Sequence, residues 1–464
     1  MGSKNLLNFL KINGPTLSSE LVDRLGISRA SLSRRVREEG SRIVSIGKAR
    51  ATRLAARDEG LSEAVALYQV QTNGEVLFVG ALHALADGEH TQWYFESEGG
   101  QESLMGGEFK HGLFPGWPWF LDDMRPQGFL GRAFGKRMAK LFQYQDSPDT
   151  WSDLQLLNAL KGFGWNSHGN FILGDANALQ AFQAHKLRVA DGFYNKISPT
   201  TYPQQARKAL EEDEAYGSSA GGEQPKFTSM VCDEEHSMPR SVIVKFSPKI
   251  DTPVGKRWAD LLHAEDVSNQ VLREIGFSVA ETRIFVFESR VFLESLRFDR
   301  AGALGRRGLV SLRSLDAAYI GTGQGSWAKV ARVLHTDGWI SSGDCRRIIQ
   351  LQCFGELIGN SDMHWGNLSF FLPKNGSFPL APVYDMLPMF FRPTNTGELL
   401  ERVFKLRLPN PEDQNEWLEM HSHAMTFWRR IIDHSGISRD FKAIAKDALG
   451  AVNRLPGVVM SNKA

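Results

Sequence analysis

The sequence predicts an α+β protein: a two-lobed, protein-kinase-like body with an extra N-terminal β-rich subdomain, preceded by a small winged helix-turn-helix domain. Three observations lead to this fold class. Short apolar helices with a basic surface occupy the first 57 residues. Alternating strand patterns begin near Glu63. A glycine-rich loop, a Lys at the end of a strand, an Asp…Asn pair and a late Asp then follow in the order typical of kinases.

The composition limits the class of protein. The chain has 464 residues, 42% hydrophobic and 23% charged, which suits about two to four compact units and excludes a disordered, collagenous or coiled-coil protein. Its three cysteines form no Cys-x-x-Cys pair, so we expect a reduced, cytoplasmic protein without a disulfide framework or a cysteine zinc site. It has no long apolar run and no signal-like start, so we expect no membrane partner.

Charge is distributed unevenly along the chain. Residues 1–57 hold twelve Lys or Arg against four Asp or Glu, although the whole chain has a net charge of only +1. The rest of the chain is therefore mildly acidic. We call residues 1–57 the head and the rest of the chain the body. A basic head joined to an acidic body indicates a module that binds a polyanion.

Residues 1–57 have the pattern of three short helices, the second and third joined by a turn at Gly26. Ser28 is the predicted N-cap of the third helix and Gly40 its end. Leu32 and Val36, four residues apart, would face the core. Two helices joined by a short glycine turn are typical of a helix-turn-helix domain.

The third helix and the basic hairpin after it carry the predicted DNA contacts. These are Ser31, Ser33, Arg34, Arg35 and Arg37 on the helix, and Lys48, Arg50 and Arg53 on the hairpin, which would act as a wing. DNA is therefore an expected partner. The alternative is a basic three-helix cap that merely packs on the body.

Three further regions follow the head. Residues 62–145 read as a β-rich subdomain, and a linker connects it to the kinase-like part. Residues 151–298 are predicted to form the N-lobe with the glycine-rich loop and the ATP-binding Lys. Residues 299–455 are predicted to form a helical C-lobe with the catalytic loop.

The glycine-rich stretch, residues 216–226, is the first chemical feature. Its small residues would let backbone N–H groups approach phosphate oxygens, but it lacks the Lys-Ser/Thr of a P-loop NTPase, which excludes that class. Lys245 ends a β-branched run and would reach the α- and β-phosphates. Either Glu265 or Glu274 on the next helix could pair with it, and the sequence does not choose.

The most specific feature is the string NSDMHWGN. Asp362 and Asn367 have the catalytic-loop spacing, in which the Asp accepts the acceptor's hydroxyl proton and the Asn holds Mg²⁺. His364 takes the place of the usual Lys near the γ-phosphate. Asp385 at the end of a short apolar strand would be the second Mg²⁺ ligand. The alternative for the string alone is a buried, capped Asp–His pair.

These motifs resemble the HipA family of serine/threonine kinase toxins. The strings that carry the resemblance are SAGGEQPK, VIVKF, RFDR, NSDMHWGN and LAPVYD, and it covers about residues 62–440. The helix-turn-helix head lies outside the usual pattern, since those toxins borrow DNA binding from a separate antitoxin. A kinase fused to its own DNA reader is similar to the YjjJ-type members.

The resemblance implies ATP and Mg²⁺ as cofactors and assigns roles by position. Asp362 would be the catalytic base, with Asn367 and Asp385 as metal ligands. The implied nucleotide-binding residues are Gly221, Gly222, Glu223, Gln224, Pro225, Lys226, Lys245, Glu294, Leu296, Phe298, His364, Asn367, Tyr384 and Asp385. Ser219, with Ser218 next to it, falls where the family has its autophosphorylated loop serine.

The implied partners are a protein Ser/Thr acceptor, a HipB-like antitoxin and a second copy of the chain on DNA. Gly366 departs from the Lys that HipA-like loops often carry, and D-x-H-x-G-N is closer to aminoglycoside and choline phosphotransferases. Two alternative functions therefore stay open. One is a small-molecule phosphotransferase, and the other is a DNA-binding regulator whose body binds nucleotide without turnover.

Overall fold

The computed structural model describes residues 5–88, 90–99, 101–214, 224–233, 236–323, 325–394 and 396–461. The head contains three helices and a three-stranded antiparallel sheet of order β1-β3-β2. Its elements are α1 (Leu6–Asn13), β1 (Thr16–Leu17), α2 (Ser18–Leu25), α3 (Arg29–Glu39), β2 (Ile43–Ile46) and β3 (Arg53–Ala56).

The predicted ends of α3 are confirmed. The Ser28 side chain accepts a hydrogen bond from the Ser31 backbone N–H at 3.1 Å, and Gly40 ends the helix with a φ of 58°. Gly26 ends α2 in the left-handed region, so the chain can turn directly into α3. The segment between α1 and α2 is partly strand, because Thr16 pairs with Leu54.

The β-rich subdomain is built on a five-stranded antiparallel sheet of order β7-β6-β5-β4-β8. Its elements are β4 (Val65–Val70), β5 (Val76–Asp87), β6 (His90–Ser97), β7 (Leu113–Phe114), α4 (Gly128–Phe142), α5 (Asp153–Phe163), β8 (Phe171–Leu173) and α6 (Ala178–Ala190). The sheet thus takes its fifth strand from beyond residue 145. The division of the chain into four domains stays a prediction.

The N-lobe contains a four-stranded antiparallel sheet of order β11-β12-β10-β9 with one long helix against it. Its elements are α7 (Tyr202–Glu214), β9 (Lys226–Asp233), β10 (His236–Phe246), α8 (Pro253–Glu274), β11 (Thr282–Phe287) and β12 (Arg290–Leu296). Strands β9 and β10 pair as an antiparallel hairpin that follows the glycine-rich stretch, and Lys245 lies on β10.

The C-terminal part is mainly helical. Two small antiparallel pairs, β13 (Arg300–Ala301) with β14 (Gly305–Arg306) and β15 (Leu309–Ser311) with β16 (Ser369–Phe371), accompany the helices. The helices are α9 (Leu312–Tyr319), α10 (Trp327–Thr336), α11 (Ser342–Ile358), α12 (Gln414–Asp433) and α13 (Arg439–Ser461). No helix in the described ranges is long and apolar enough to span a membrane.

One hydrophobic core runs through the β-rich subdomain and the C-terminal helices. It joins Trp93 and Phe120 of the subdomain to Leu261 of α8 and to Phe354 and Trp428 of the helical part. The head packs on the same subdomain through a smaller cluster that includes side chains from β2, β3, β5 and β6. The β-rich subdomain and the C-terminal helices therefore share one core, and this core supports the predicted catalytic loop.

We expect Trp428→Ala to lower the free energy of unfolding by about 3–5 kcal/mol, because it empties a fully buried indole site between α11 and α12. The indole N–H also donates to the Leu357 carbonyl at 3.2 Å. Urea unfolding of the full chain measures the loss. Leu187→Ala, at a position 66% exposed, is the control and should change stability by less than about 0.5 kcal/mol. Equal effects would contradict the assignment of this core.

Candidate active site

Lys245 lies near the end of β10, and its side chain is buried between the N-lobe sheet and α8. Its ammonium donates to both carboxylate oxygens of Glu265, at 2.7 and 2.6 Å. Glu274 instead pairs with Arg430 on the exposed surface, at 2.9 and 2.7 Å. The choice that the sequence left open is therefore settled in favour of Glu265.

Asp385 shares the same ammonium. Lys245 Nζ also donates to Asp385 Oδ1, which brings the late Asp to the strand Lys across 140 positions of sequence. Asp385 has a φ of 53°, an uncommon conformation for a residue other than glycine. Such a strained backbone in a contact between distant segments is a feature found at functional sites.

The buried charges influence one another. Burial alone would lower the pKa of Lys245, but Asp385 and Glu265 outweigh burial and raise it. Burial opposes ionisation of Asp385, yet Lys245 and Lys226 hold the pKa of its carboxyl below the ordinary value. Burial raises the pKa of Glu265 against the attraction of Lys245. At neutral pH the ammonium and the Asp385 carboxylate are both charged.

Asn360 connects this cluster to the catalytic loop. Its amide nitrogen donates to the Asp385 carbonyl at 3.3 Å, and its amide oxygen accepts from the Asp362 backbone N–H at 3.0 Å. Asn367 donates from its side chain to the Asp362 carbonyl at 2.9 Å, which closes the loop. The structure therefore brings Asp362, Asn367, Asp385 and Lys245 to one place. Asn360 was not predicted from the sequence, although Asn two residues before the predicted base is a recognised turn former.

Tyr384 fixes the other side of the catalytic loop. Its hydroxyl donates to the Gly366 carbonyl at 2.7 Å and lies 2.7 Å from the Ser369 hydroxyl. The Phe298 ring lies 5.6 Å from the Tyr384 ring, so Phe298 belongs to this region. His364 accepts a hydrogen bond from the Gly366 N–H at its Nδ1, at 3.1 Å, and its ring is otherwise exposed.

The end of the glycine-rich loop reaches the same strands. Gln224 donates from its side chain to the Phe246 carbonyl at 2.7 Å, and the Pro225 carbonyl accepts from the Phe246 N–H at 3.0 Å. Lys226 is the cross-strand partner of Lys245, so the two side chains share one face of the sheet. The remaining predicted loop residues, Gly221, Gly222 and Glu223, and the serines Ser218 and Ser219, lie outside the described residues.

The side chains of Glu294 and Leu296, both predicted to bind nucleotide, do not join the cluster. Glu294 pairs with Val244 and not with Lys245 in the sheet, so its side chain points to the opposite face. There its carboxylate accepts a hydrogen bond from the Tyr202 hydroxyl and lies 3.6 Å from an Arg240 nitrogen. Leu296 packs in the cluster around Tyr202. Both side chains therefore point away from the face of the sheet that carries Lys245, and their role in nucleotide binding stays a prediction.

A cavity of about 730 Å³ lies beside Lys226 and Ile243, between the N-lobe sheet and α4. Ile243 lies two residues before Lys245 on β10, so the two side chains point to the same face of the sheet. The cavity therefore opens on the face that carries the ammonium group. Its volume is in the range of nucleotide-sized ligand sites. Neither Lys245 nor Asp385 lines it, so it adjoins the charged cluster and does not contain it.

The predicted DNA-binding residues lie on one helix and one hairpin. On α3, Ser33, Arg34 and Arg37 are exposed, whereas Ser31 and Arg35 are half-buried. In the hairpin, Lys48 and Arg50 are exposed, and Arg53 is half-buried with a nitrogen 3.4 Å from the Pro15 carbonyl. The buried face of the hairpin packs on the body, as the alternative interpretation expects, but α3 leaves its basic side to solvent.

Two family profiles match the chain. The profile described as YjjJ-like toxin, middle domain, matches residues 61–183, and the HipA-like C-terminal domain matches residues 218–454. Toxin YjjJ of Escherichia coli (strain K12) is 36% identical over 444 residues, which cover 95% of this chain and 96% of that protein. A putative kinase of Haemophilus influenzae is 26% identical over 194 residues, covering 37% of this chain and 52% of that protein.

A solved structure has the same fold. A chain of the Shewanella oneidensis MR-1 toxin–antitoxin complex of HipA, HipB and operator DNA superposes with a TM-score of 0.51 at 16% identity, covering 83% of this chain and 97% of that chain. Two findings agree on the family of this chain. The HipA-like profile matches more than half of the sequence, and toxin YjjJ is similar along nearly its whole length. The chain therefore belongs to the HipA-like family of toxins, in its YjjJ-like branch.

Proposed function

We propose that this protein is an ATP-dependent kinase that transfers the γ-phosphoryl group to a Ser or Thr hydroxyl of a protein. The observation that carries the proposal is the continuous set of contacts from Lys245 through Asp385 and Asn360 to Asp362. These are the groups that phosphoryl transfer needs for charge neutralisation and for positioning the acceptor.

In the proposed reaction, the acceptor oxygen bonds to the γ-phosphorus while the bond from that phosphorus to the β-bridging oxygen breaks, releasing ADP. Asp362 accepts the proton of the attacking hydroxyl. Lys245, held by Glu265, binds the α- and β-phosphates, with Lys226 on the same face of the sheet. The loop residues Gly221 to Pro225 would line the nucleotide.

Asn367 and Asp385 fit a Mg²⁺ ion by their chemistry. Asn367 uses its amide nitrogen in the loop, which leaves the amide oxygen as a ligand, and Asp385 supplies a carboxylate. Among the described residues, no group of three or more His, Cys, Asp or Glu is placed to hold a metal. Mg²⁺ is usually bound by only one or two protein ligands, and the phosphates of the nucleotide complete its coordination shell. When bound, the ion would offset negative charge on the phosphates.

We expect Asp362→Asn to lower phosphoryl transfer from radiolabelled ATP by at least a hundredfold, because the amide cannot accept the acceptor's proton. Asp385→Asn should give a loss of similar size. Asp337→Asn, an exposed change of the same kind, is the control and should keep full activity. Full activity in both active-site variants would contradict the assigned roles. Transfer to amino-alcohol acceptors and not to protein would instead favour a small-molecule phosphotransferase.

We further propose that the kinase phosphorylates its own glycine-rich loop at Ser219. The protein isolated from cells should carry one phosphate that peptide mapping by mass spectrometry places at Ser219, distinguishing it from Ser218. The Asp362→Asn protein should carry none. An unmodified loop in the active protein, or a phosphate that persists in the Asp362→Asn variant, would contradict autophosphorylation.

We also propose that the head binds DNA through α3 and its hairpin. The helix order, the glycine turn and the exposed basic side of α3 support this function. The structural relative was solved with HipB and operator DNA, which supports DNA and an antitoxin as partners of this chain. Binding as a dimer to a two-fold operator is the expected arrangement for such a domain.

Changing Arg34 and Arg37 to Ala should weaken DNA binding at low salt and make it less salt-dependent. Each lost phosphate contact removes about 0.9 from the slope of log affinity against log salt. Fluorescence anisotropy with labelled duplex at several salt concentrations measures both effects. Lys405→Ala, an exposed cation on the body, serves as the control and should leave the slope unchanged. A slope that is the same in all three proteins would rule out this surface.

A further inference from the structure

A second, smaller cavity lies away from the Lys245–Asp385 cluster. Its volume is about 200 Å³, and α6, the β13–β14 hairpin and the β9–β10 hairpin border it. Three arginines line it, Arg297, Arg300 and Arg306, with hydroxyl side chains from Ser229 and Ser241. Within the described part of the chain, no acidic side chain lines it. The cavity is therefore strongly basic.

One carboxylate, Asp299, pairs with two of these three guanidinium groups. Asp299 accepts from Arg297 at 2.8 and 3.0 Å and from Arg300 at 2.7 Å. Arg300 makes further hydrogen bonds to backbone carbonyls of residues 166–169. The two arginines outweigh burial and hold the pKa of Asp299 far below its ordinary value, so Asp299 stays ionised. Asp299 offsets one of the two positive charges that it contacts, and Arg306 adds a further positive charge to the cavity.

Arg306 is buried, and it forms no ion pair with any acidic side chain among the described residues. Only 2% of its surface is exposed, and its guanidinium carbon lies 4.8 Å from the centre of the Phe182 ring. Its Nη1 is buried and has no hydrogen-bond partner among the described residues. Burial and the repulsion of Arg297 lower the pKa of Arg306 to about 9, so it is still cationic at neutral pH. A buried donor of this kind is costly unless something accepts its hydrogen bond.

We propose that this cavity binds a phosphate-sized oxyanion, free or as the phosphate of a small monoester, with the guanidinium group of Arg306 and the Ser241 hydroxyl as donors. Its volume lies below that of most drug-sized ligand sites, so a whole nucleotide does not fit. A guanidinium is the preferred partner of phosphate oxygens because its N–H groups match their geometry. Bound there, the anion would connect the β-rich subdomain to the N-lobe sheet. The proposal does not rest on the proposed kinase activity, although Asn166, Thr228 and Arg297 line both this cavity and the larger one.

Calorimetric titration of the full-length protein with inorganic phosphate, in chloride buffer without nucleotide, tests the proposal. The wild type should bind in a saturable manner, and its melting temperature should rise with phosphate. Arg306→Met should weaken binding at least tenfold without lowering the melting temperature in phosphate-free buffer, since it removes an unpaired buried charge. Glycerol phosphate, compared with inorganic phosphate, identifies the source: tighter binding indicates a monoester, weaker binding the free ion.

Arg347→Met is the matched control. Arg347 also packs over an aromatic ring, 5.3 Å from Phe277, but it is exposed and lies outside the cavity lining, so phosphate affinity should be unchanged. Ser241→Ala, which removes one lining hydroxyl, should weaken binding several-fold and serves if Arg306→Met does not fold. No saturable binding to the wild type overturns the proposal. So does binding that Lys245→Met abolishes and Arg306→Met leaves unchanged.

Discussion

A single buried ammonium between two carboxylates organises the kinase-like half of the protein. Removing an amino group and two acids from water is expensive, and the attraction among them compensates only when their geometry is close. Lys245, Glu265 and Asp385 come from a strand, a helix and a loop that are far apart in sequence. The sheet, α8 and the loop that carries Asp385 must therefore dock together for any of the three charges to be tolerated.

This requirement extends beyond the three charged residues. Asp385 is connected through Asn360 to the catalytic loop, and Tyr384 next to it holds the same loop through Gly366. The side chains of the candidate site are thus held by hydrogen bonds to backbone atoms. The hydrophobic core that includes Trp93 and Trp428 supports the elements that carry them. Positioning of this kind is what a phosphoryl-transfer site requires, because the protein contributes little covalent chemistry.

Much of the fold and part of the site could be predicted from the sequence. Asp362, Asn367, Asp385 and Lys245 were found because their spacing is itself the signal. The choice between Glu265 and Glu274 could not be made, because nine residues is about two and a half helical turns and only packing decides which face meets the sheet. The face of the sheet to which Glu294 and Leu296 point could not be predicted, because a shift of one residue in the register of a strand reverses its face. The pairing of β8 with β4 and the burial of Arg306 with an unpartnered Nη1 depend on tertiary contacts. A local sequence pattern does not predict such contacts.

The connection between the head and the body is short and is held by backbone contacts. Arg57 bridges to Leu85 and the Asp58 N–H donates to the Ala84 carbonyl at 2.9 Å, immediately after the last strand of the head. These contacts consequently fix the orientation of α3 relative to the Lys245–Asp385 cluster. If two copies bound neighbouring half-sites, as proposed, the helical repeat of DNA would set the distance between their two clusters.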